Sequence, residues 1–289
     1  MNAAHIILEG PDGAGKTTLA TRLCTYGYAY RHEGPPPMGT TALRHYAGIL
    51  ARLERPTLLD RFHLGELVYG PLLRGRSGLS EEGLRLLRRV LHGLGIRVVL
   101  CLPPFPIAFR NWSIRNRTGG EFFQDAAVFE ASFERFAQLR DHVHDVIDFT
   151  RPHDLEPLVA PLPACLPGVF GSPHARVVFV GSCSHQPVDW PFIAEHGCSA
   201  FLNRAIQGAG FTEEEVAFTK TEHHVDLRAR IQPGQTIVAI GRLAERAVKV
   251  AGLTAWFALP HPHRPRPLSL DRYISWLAHI RRDPWRVAS

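Results

Sequence analysis

Lysine is nearly absent from this chain of 289 residues, with 3 Lys beside 30 Arg. Its positive charge therefore sits on forked guanidinium groups, which suit phosphate better than a compact ammonium does. Cysteine is also scarce: Cys24, Cys101, Cys165, Cys183 and Cys198 are odd in number, and none forms a CxxC pair. That pattern argues against a disulfide framework and predicts reduced, mostly buried thiols. No apolar run is long enough to cross a bilayer, and the nearest, Val98 to Phe109, is broken by Pro103, Pro104 and Pro106. No membrane partner is expected, and with no charged leader ahead of the first strand the expected location is the cytosol. A large excess of one charge is lacking too. The net +6 divides into 19 basic against 17 acidic residues up to position 160, and 14 against 10 beyond it. This balance permits nucleic-acid binding without requiring it.

What is present is an alternation of strand and helix patterns. His5 to Glu9 reads as a buried strand and Lys16 to Cys24 as a helix, with a glycine turn between them. Further strands are expected at Thr57 to Leu59, Arg97 to Leu102 and Val146 to Phe149, separated by helices such as Glu81 to Leu94 and Ala126 to His142. Such alternation implies an α/β fold with a parallel sheet covered by helices. Prolines 152, 157, 161, 163, 167 and 173 then interrupt all periodicity. A second, smaller α/β domain follows, with strands at Arg176 to Val180, Val216 to Thr219 and Thr236 to Ile240, helices at Ser199 to Gly208 and Leu243 to Ala251, and Ala255 to Leu259 last. The expected division is a first domain over 1–155, a proline-rich linker over 156–174 and a second domain over 175–289.

The turn Gly10-Pro11-Asp12-Gly13-Ala14-Gly15-Lys16-Thr17 fits G-x-x-x-x-G-K-[ST], the phosphate loop of P-loop NTPases. Its glycines let successive backbone N–H groups point at phosphate oxygens, Lys16 bridges the terminal phosphates and Thr17 ligates magnesium. The positive end of the following helix adds to this. ATP and Mg2+ are the expected cofactors.

The stretch Leu8-Glu9-Gly10-Pro11-Asp12-Gly13-Ala14-Gly15-Lys16-Thr17-Thr18 resembles the opening motif of the thymidylate kinase family, and Leu58-Leu59-Asp60-Arg61 is similar to that family's strand-ending Asp-Arg pair. The resemblance implies that Arg61 neutralises the acceptor and that Asp60 organises magnesium or the attacking oxygen. It implies an arginine-bearing lid at Arg110, Arg115 and Arg117, where Arg110 and Arg117 share one helical face and Thr118-Gly119-Gly120 forms a hinge. It also implies that Asp12 contacts the acceptor sugar's 3′ hydroxyl, which favours a free deoxynucleotide.

The segment Asp60 to Pro71, with Arg74 and Gly75, is more similar to divergent viral relatives than to cellular thymidylate kinases. Glu66, Tyr69 and Arg74 join Asp12 as acceptor-binding candidates. A phosphate acceptor would need positive charge. An alcohol would need a carboxylate base, for which Asp60 and Glu66 are both open.

Residues 175–282 resemble the uracil-DNA glycosylase superfamily through Val177-Val178-Phe179-Val180-Gly181, Pro191-Phe192, Ser199-Ala200-Phe201-Leu202 with Gly210, Ile237-Val238-Ala239-Ile240-Gly241 with Ala244, and Pro260-His261-Pro262. By that resemblance Phe192 stacks on an extruded base and His261 lines the sugar side. The chain departs from the pattern at Gly181-Ser182-Cys183-Ser184-His185, which lacks an acidic or amide group for water, and near Phe218-Thr219-Lys220, where a base-reading Asn is expected. A domain that binds a base, nucleotide or modified DNA is therefore expected, with little excision. His223, His224, His261 and His263 are read as surface or pocket histidines, not a metal centre. Arg264, Arg266, Arg272, Arg281, Arg282 and Arg286 with Trp276 and Trp285 form either a stacking surface for a nucleic-acid strand or a solvated face.

Together these readings lead to a kinase that phosphorylates the hydroxymethyl group of 5-hydroxymethyluracil in DNA. A free deoxynucleoside monophosphate kinase and a nucleotide-gated DNA-binding adaptor are the alternatives.

Overall fold

The computed structural model describes residues 5–118, 123–161, 168–172, 174–181, 197–221, 227–262 and 269–282. The chain forms two compact units, Met1–Leu84 with Gly95–Pro163, and Arg85–Leu94 with Ala164–Ser289.

The first unit runs β1 (His5–Glu9), α1 (Lys16–Cys24), β2 (Ala29–His32), α2 (Ala42–Leu50), β3 (Thr57–Asp60), α3 (His63–Arg74), α4 (Glu81–Gly93), β4 (Ile96–Cys101), α5 (Phe105–Arg117), α6 (Ala126–Gln138), β5 (Asp145–Ile147) and α7 (Glu156–Val159), with the later part of α4 grouped in the second unit. Its sheet is wholly parallel in the order β2-β3-β1-β4-β5. Helices must cover both faces of such a sheet, so its central strands are continuously apolar. In β1, Ile6, Ile7 and Leu8 are fully buried. Ile6 and Leu8 face a core with Leu19, Leu23, Val99 and Ile147. Across the sheet order, the direction of travel reverses beside β1, so the loop leaving β1 opens at the crevice where parallel sheets bind ligands.

The second unit continues with β6 (Val169–Gly171), β7 (Val177–Gly181), α8 (Gly197–Gly208), β8 (Val216–Lys220), α9 (Leu227–Arg230), β9 (Thr236–Ile240), α10 (Arg242–Val250), β10 (Phe257–Leu259) and α11 (Leu270–Arg282). Its sheet order is β10-β9-β7-β8-β6, parallel except for β6 against β8. The two-residue period of β7 divides its side chains between two cores, Val177 and Phe179 on one face and Val178 and Val180 on the other.

The stretch expected as a linker over 156–174 is structured at both ends, which corrects the expectation there. Glu156–Val159 forms α7, with Pro157 in the first turn, where its missing N–H costs nothing, and Leu158 and Val159 close the first unit's core. Val169–Gly171 is an edge strand of the second sheet. Residues 162–167 and 173 lie outside the described residues. Among the described residues no helix is long and apolar enough to cross a membrane, and Cys24 and Cys101 are free thiols.

Candidate active site

The phosphate loop leaves β1 at Glu9 and returns as α1 at Lys16. Two of its glycines are dictated by close approach as well as by backbone angle. Gly10 has φ 138°, and a Cβ there would overlap the Cys101 carbonyl oxygen; Gly13 has φ 76°, and a Cβ there would strike the Ala108 carbonyl on α5. Asn111 Nδ2 donates to the Gly13 carbonyl at 3.1 Å and ties α5 to the loop a second time. The Lys16 ammonium is buried and curls back to donate to the Gly10 and Pro11 carbonyls, each at 2.8 Å. Burial lowers its pKa, and the neighbouring Asp12 carboxylate works against that shift.

Asp60 ends β3 and is buried. The Tyr30 hydroxyl on β2 donates to its Oδ2 at 2.7 Å, and His32 Nδ1 lies 3.5 Å from the same oxygen. Burial, and then the bond to Asp60, push the Tyr30 hydroxyl up to about 12, so it remains a donor. Asp60 Oδ1 is buried with no protein partner. An orphaned carboxylate oxygen of this kind fits a divalent cation, and with the Thr17 hydroxyl in the same cleft it forms a donor set of oxygens suited to magnesium.

Arg61 adopts φ 69°, the only positive φ at a non-glycine position among the described residues. A left-handed residue with a Cβ costs roughly 1–2 kcal/mol and persists only where its surroundings hold it. Here the Arg61 N–H donates to the Leu8 carbonyl at 2.9 Å, and its guanidinium pairs with Asp12 Oδ1 at 2.5 Å. Asp12 Oδ2 is buried without a partner.

The start of α3 is capped by a residue of another element. Glu9 Oε1 accepts from Leu64 N at 2.7 Å and Oε2 from Gly65 N at 3.3 Å, placing a carboxylate on the positive helix end. Complete burial nevertheless raises the Glu9 pKa to about 7, against the opposing pull of those N–H groups and of Lys16.

A cleft of about 430 Å³ follows the loop from Asp12 to Thr18 and is closed by Tyr30, Asp60, Asn111 and Arg115. A second cavity of about 280 Å³ adjoins it, walled by Tyr46, Phe62, Tyr69, Phe123 and Phe136. Asp12, His32 and Arg61 line both. Carboxylates are prominent in the second cavity: Glu9, Glu33 and Glu66 join Asp12, while its guanidiniums are Arg61, on Asp12, and Arg74, on both oxygens of Glu66 at 2.6 Å.

The fold thus brings Asp12, Lys16, Thr17, Thr18, Asp60, Arg61 and Arg115 to the first cleft, and Glu66, Tyr69 and Arg74 to the second. Arg110 and Arg117 are exposed on α5 and line neither, because Asn111, Ile114 and Arg115 share the face turned to the loop. Glu66 also accepts from Gly78 N at 2.7 Å, so its carboxylate is occupied within α3 and the turn after it. In the second unit His261 packs beside Gly241, whose added Cβ would lie 3.1 Å from the histidine Cβ. Phe192, His223, His224 and His263 lie outside the described residues. Sequence reasoning missed Tyr30, His32 and Glu33 at the end of β2, Asn111, and the capping role of Glu9. Asn111 was open to discovery from its four-residue spacing to Arg115.

No protein-family model matches the chain, and no curated protein matches it. Among solved structures it is similar to YorR from Bacillus subtilis in complex with phosphorylated GDP, at 22% identity and TM-score 0.40 over 51% of this chain and 86% of that one. It is also similar to deoxyadenosine kinase from M. mycoides with dCMP and a flexible dCDP bound, at 12% identity and TM-score 0.31 over 51% and 92% of the two chains. The Pnkp1/Rnl/Hen1 RNA repair complex matches over 96% of this chain and 85% of that one, at 13% identity and TM-score 0.33. At these scores the functional reading stands on the site's own geometry.

Proposed function

We propose that the chain is an ATP- and magnesium-dependent phosphotransferase whose acceptor is a pyrimidine deoxynucleotide unit, with the hydroxymethyl group of 5-hydroxymethyluracil in DNA as the leading acceptor. The observation that carries this reading is the meeting of two cavities at Asp12 and Arg61, one built on the phosphate loop and the other walled by aromatic rings. Phosphoryl transfer requires donor and acceptor to be held in line, and catalysis is mostly positioning and electrostatics.

Lys16 and the loop N–H groups bind the donor's terminal phosphates. Thr17 and Asp60 Oδ1 would hold magnesium, which supplies neutralising charge to the phosphate oxygens. Arg61, at the junction, is set to balance charge on the migrating group.

The charge of the second cavity favours an alcohol over a phosphate acceptor. Both of its guanidiniums are already engaged by carboxylates, so a dianionic acceptor would find no unengaged guanidinium there. The carboxylates near an alcohol's proton each already have a partner, Glu66 in Arg74 and Gly78, Asp60 in Tyr30 and Glu33 in Arg31, so the base would be one of these paired groups. The C-terminal unit, by its resemblance to a base-extruding fold, would hold DNA or a base.

One observation favours a second reading. The unpartnered, buried Asp12 Oδ2 supports a free deoxynucleotide whose sugar hydroxyl it would accept from. The test offers labelled ATP to the protein with dTMP, dCMP, and duplex DNA carrying thymine or 5-hydroxymethyluracil. Label on the 5-hydroxymethyluracil duplex supports the leading reading. Label only on the free monophosphates overturns it, and label on none favours a nucleotide-gated adaptor.

A further inference from the structure

Resting on the proposed metal-dependent phosphotransfer, we infer that Tyr30 is a positioning residue for the divalent cation, acting through Asp60. The two oxygens of the Asp60 carboxylate have different fates. Oδ2 accepts the Tyr30 hydroxyl at 2.7 Å, whereas Oδ1 is buried and has no protein partner. A carboxylate free at both oxygens turns about its last torsion and presents either one. With Oδ2 tied down, Oδ1 is the oxygen held out for a ligand.

The fold makes this arrangement rigid from both sides. Asp60 lies in ladder register with Leu8 of β1 on one flank and with His32 of β2 on the other. Tyr30 is in register with Leu58, two residues back along β2, so its side chain emerges on the same strand face as His32 and reaches forward to the carboxylate. The tyrosine is itself 45% exposed and lines the first cleft, so its ring is not retained by core packing. Its polar end is the part with a defined partner. Partners that orient a ligating carboxylate tune metal affinity without touching the metal.

The test measures Mn2+ binding by electron paramagnetic resonance in the presence of a saturating, non-hydrolysable ATP analogue, and nucleotide binding separately in EDTA. Tyr30→Phe keeps the ring and removes the hydroxyl. The Mn2+ dissociation constant is expected to rise about tenfold, with nucleotide affinity in EDTA unchanged and only a small fall in the thermal midpoint from the lost hydrogen bond. In an Asp60→Asn background the same substitution is expected to add no further loss, because the group it orients has been replaced.

Wild-type Mn2+ affinity in Tyr30→Phe overturns the inference, as does an undiminished effect in the Asp60→Asn background. A wild-type protein that binds no Mn2+–nucleotide overturns the phosphotransferase reading itself. That result is distinct from a silent Tyr30→Phe in a protein that binds both.

Discussion

Glu9→Gln should make the stability of the first unit less dependent on pH. Burial raises the folded pKa of Glu9 from 4.5 to about 7, so the native protein keeps a proton that the unfolded chain releases first. For a raised pKa the sign is fixed: the contribution is complete below the unfolded value and is lost as pH climbs through the folded one. With those two values, the loss from about pH 5 to about pH 8 is on the order of 2–3 kcal/mol. Glutamine keeps one oxygen to accept from the start of α3 but cannot ionise.

Urea unfolding followed by hydrogen exchange in β1 and α3 peptides isolates this unit. The wild-type stability minus that of Glu9→Gln should fall by about 2–3 kcal/mol across that range. His5 and His144, whose pKa values burial lowers, act in the opposite direction but are common to both proteins and cancel. His63 Nδ1 lies 3.8 Å from Glu9 Oε1, so the comparison is repeated in a His63→Gln background. A wild-type-to-variant difference that does not change with pH would refute the reasoning.

Further consequences follow from the same contacts. Gly13→Ala must place a Cβ at φ 76° against the Ala108 carbonyl, and should cost about 2–4 kcal/mol by thermal or urea unfolding; an unchanged midpoint would mean that α5 does not bear on the loop. Arg115→Ala should weaken ATP binding by about tenfold, while Arg110→Ala and Arg117→Ala leave it nearly unchanged, because Arg115 alone of the three lines the first cleft; calorimetric titration separates them. In the second unit, Tyr273 is fully buried and donates to the Pro260 carbonyl at 2.9 Å, so Tyr273→Phe should lower stability by about 1 kcal/mol.

Strong local signals made much of the first unit legible in the sequence. β1 and α1 lie where the apolar run and the loop pattern predict them, since the loop's glycines and Lys16 have a fixed chemical task. β2 escaped notice because it is an edge strand, Ala29-Tyr30-Arg31-His32, with a half-exposed, largely polar pattern that no hydrophobic period marks. Its side chains earn their place only across the sheet, where Tyr30 and His32 meet Asp60. Glu9 was likewise opaque: its partners Leu64 and Gly65 are 55 and 56 residues away in sequence. Spacing along one helix selected Arg110 and Arg117 as a pair, but it cannot say which face meets the loop, and that face carries Asn111 and Arg115. The proline-rich stretch reads as linker by composition alone, yet Pro157 is compatible with a first helical turn and Leu158 with a core.

The most direct test of the central claim is label transfer from γ-labelled ATP by wild-type protein and by Lys16→Ala, with duplex DNA containing 5-hydroxymethyluracil as acceptor. Lys16 is the buried ammonium of the phosphate loop, and removing it should slow transfer by at least about 100-fold without unfolding the chain. A Lys16→Ala protein that transfers label at most of the wild-type rate would contradict the account.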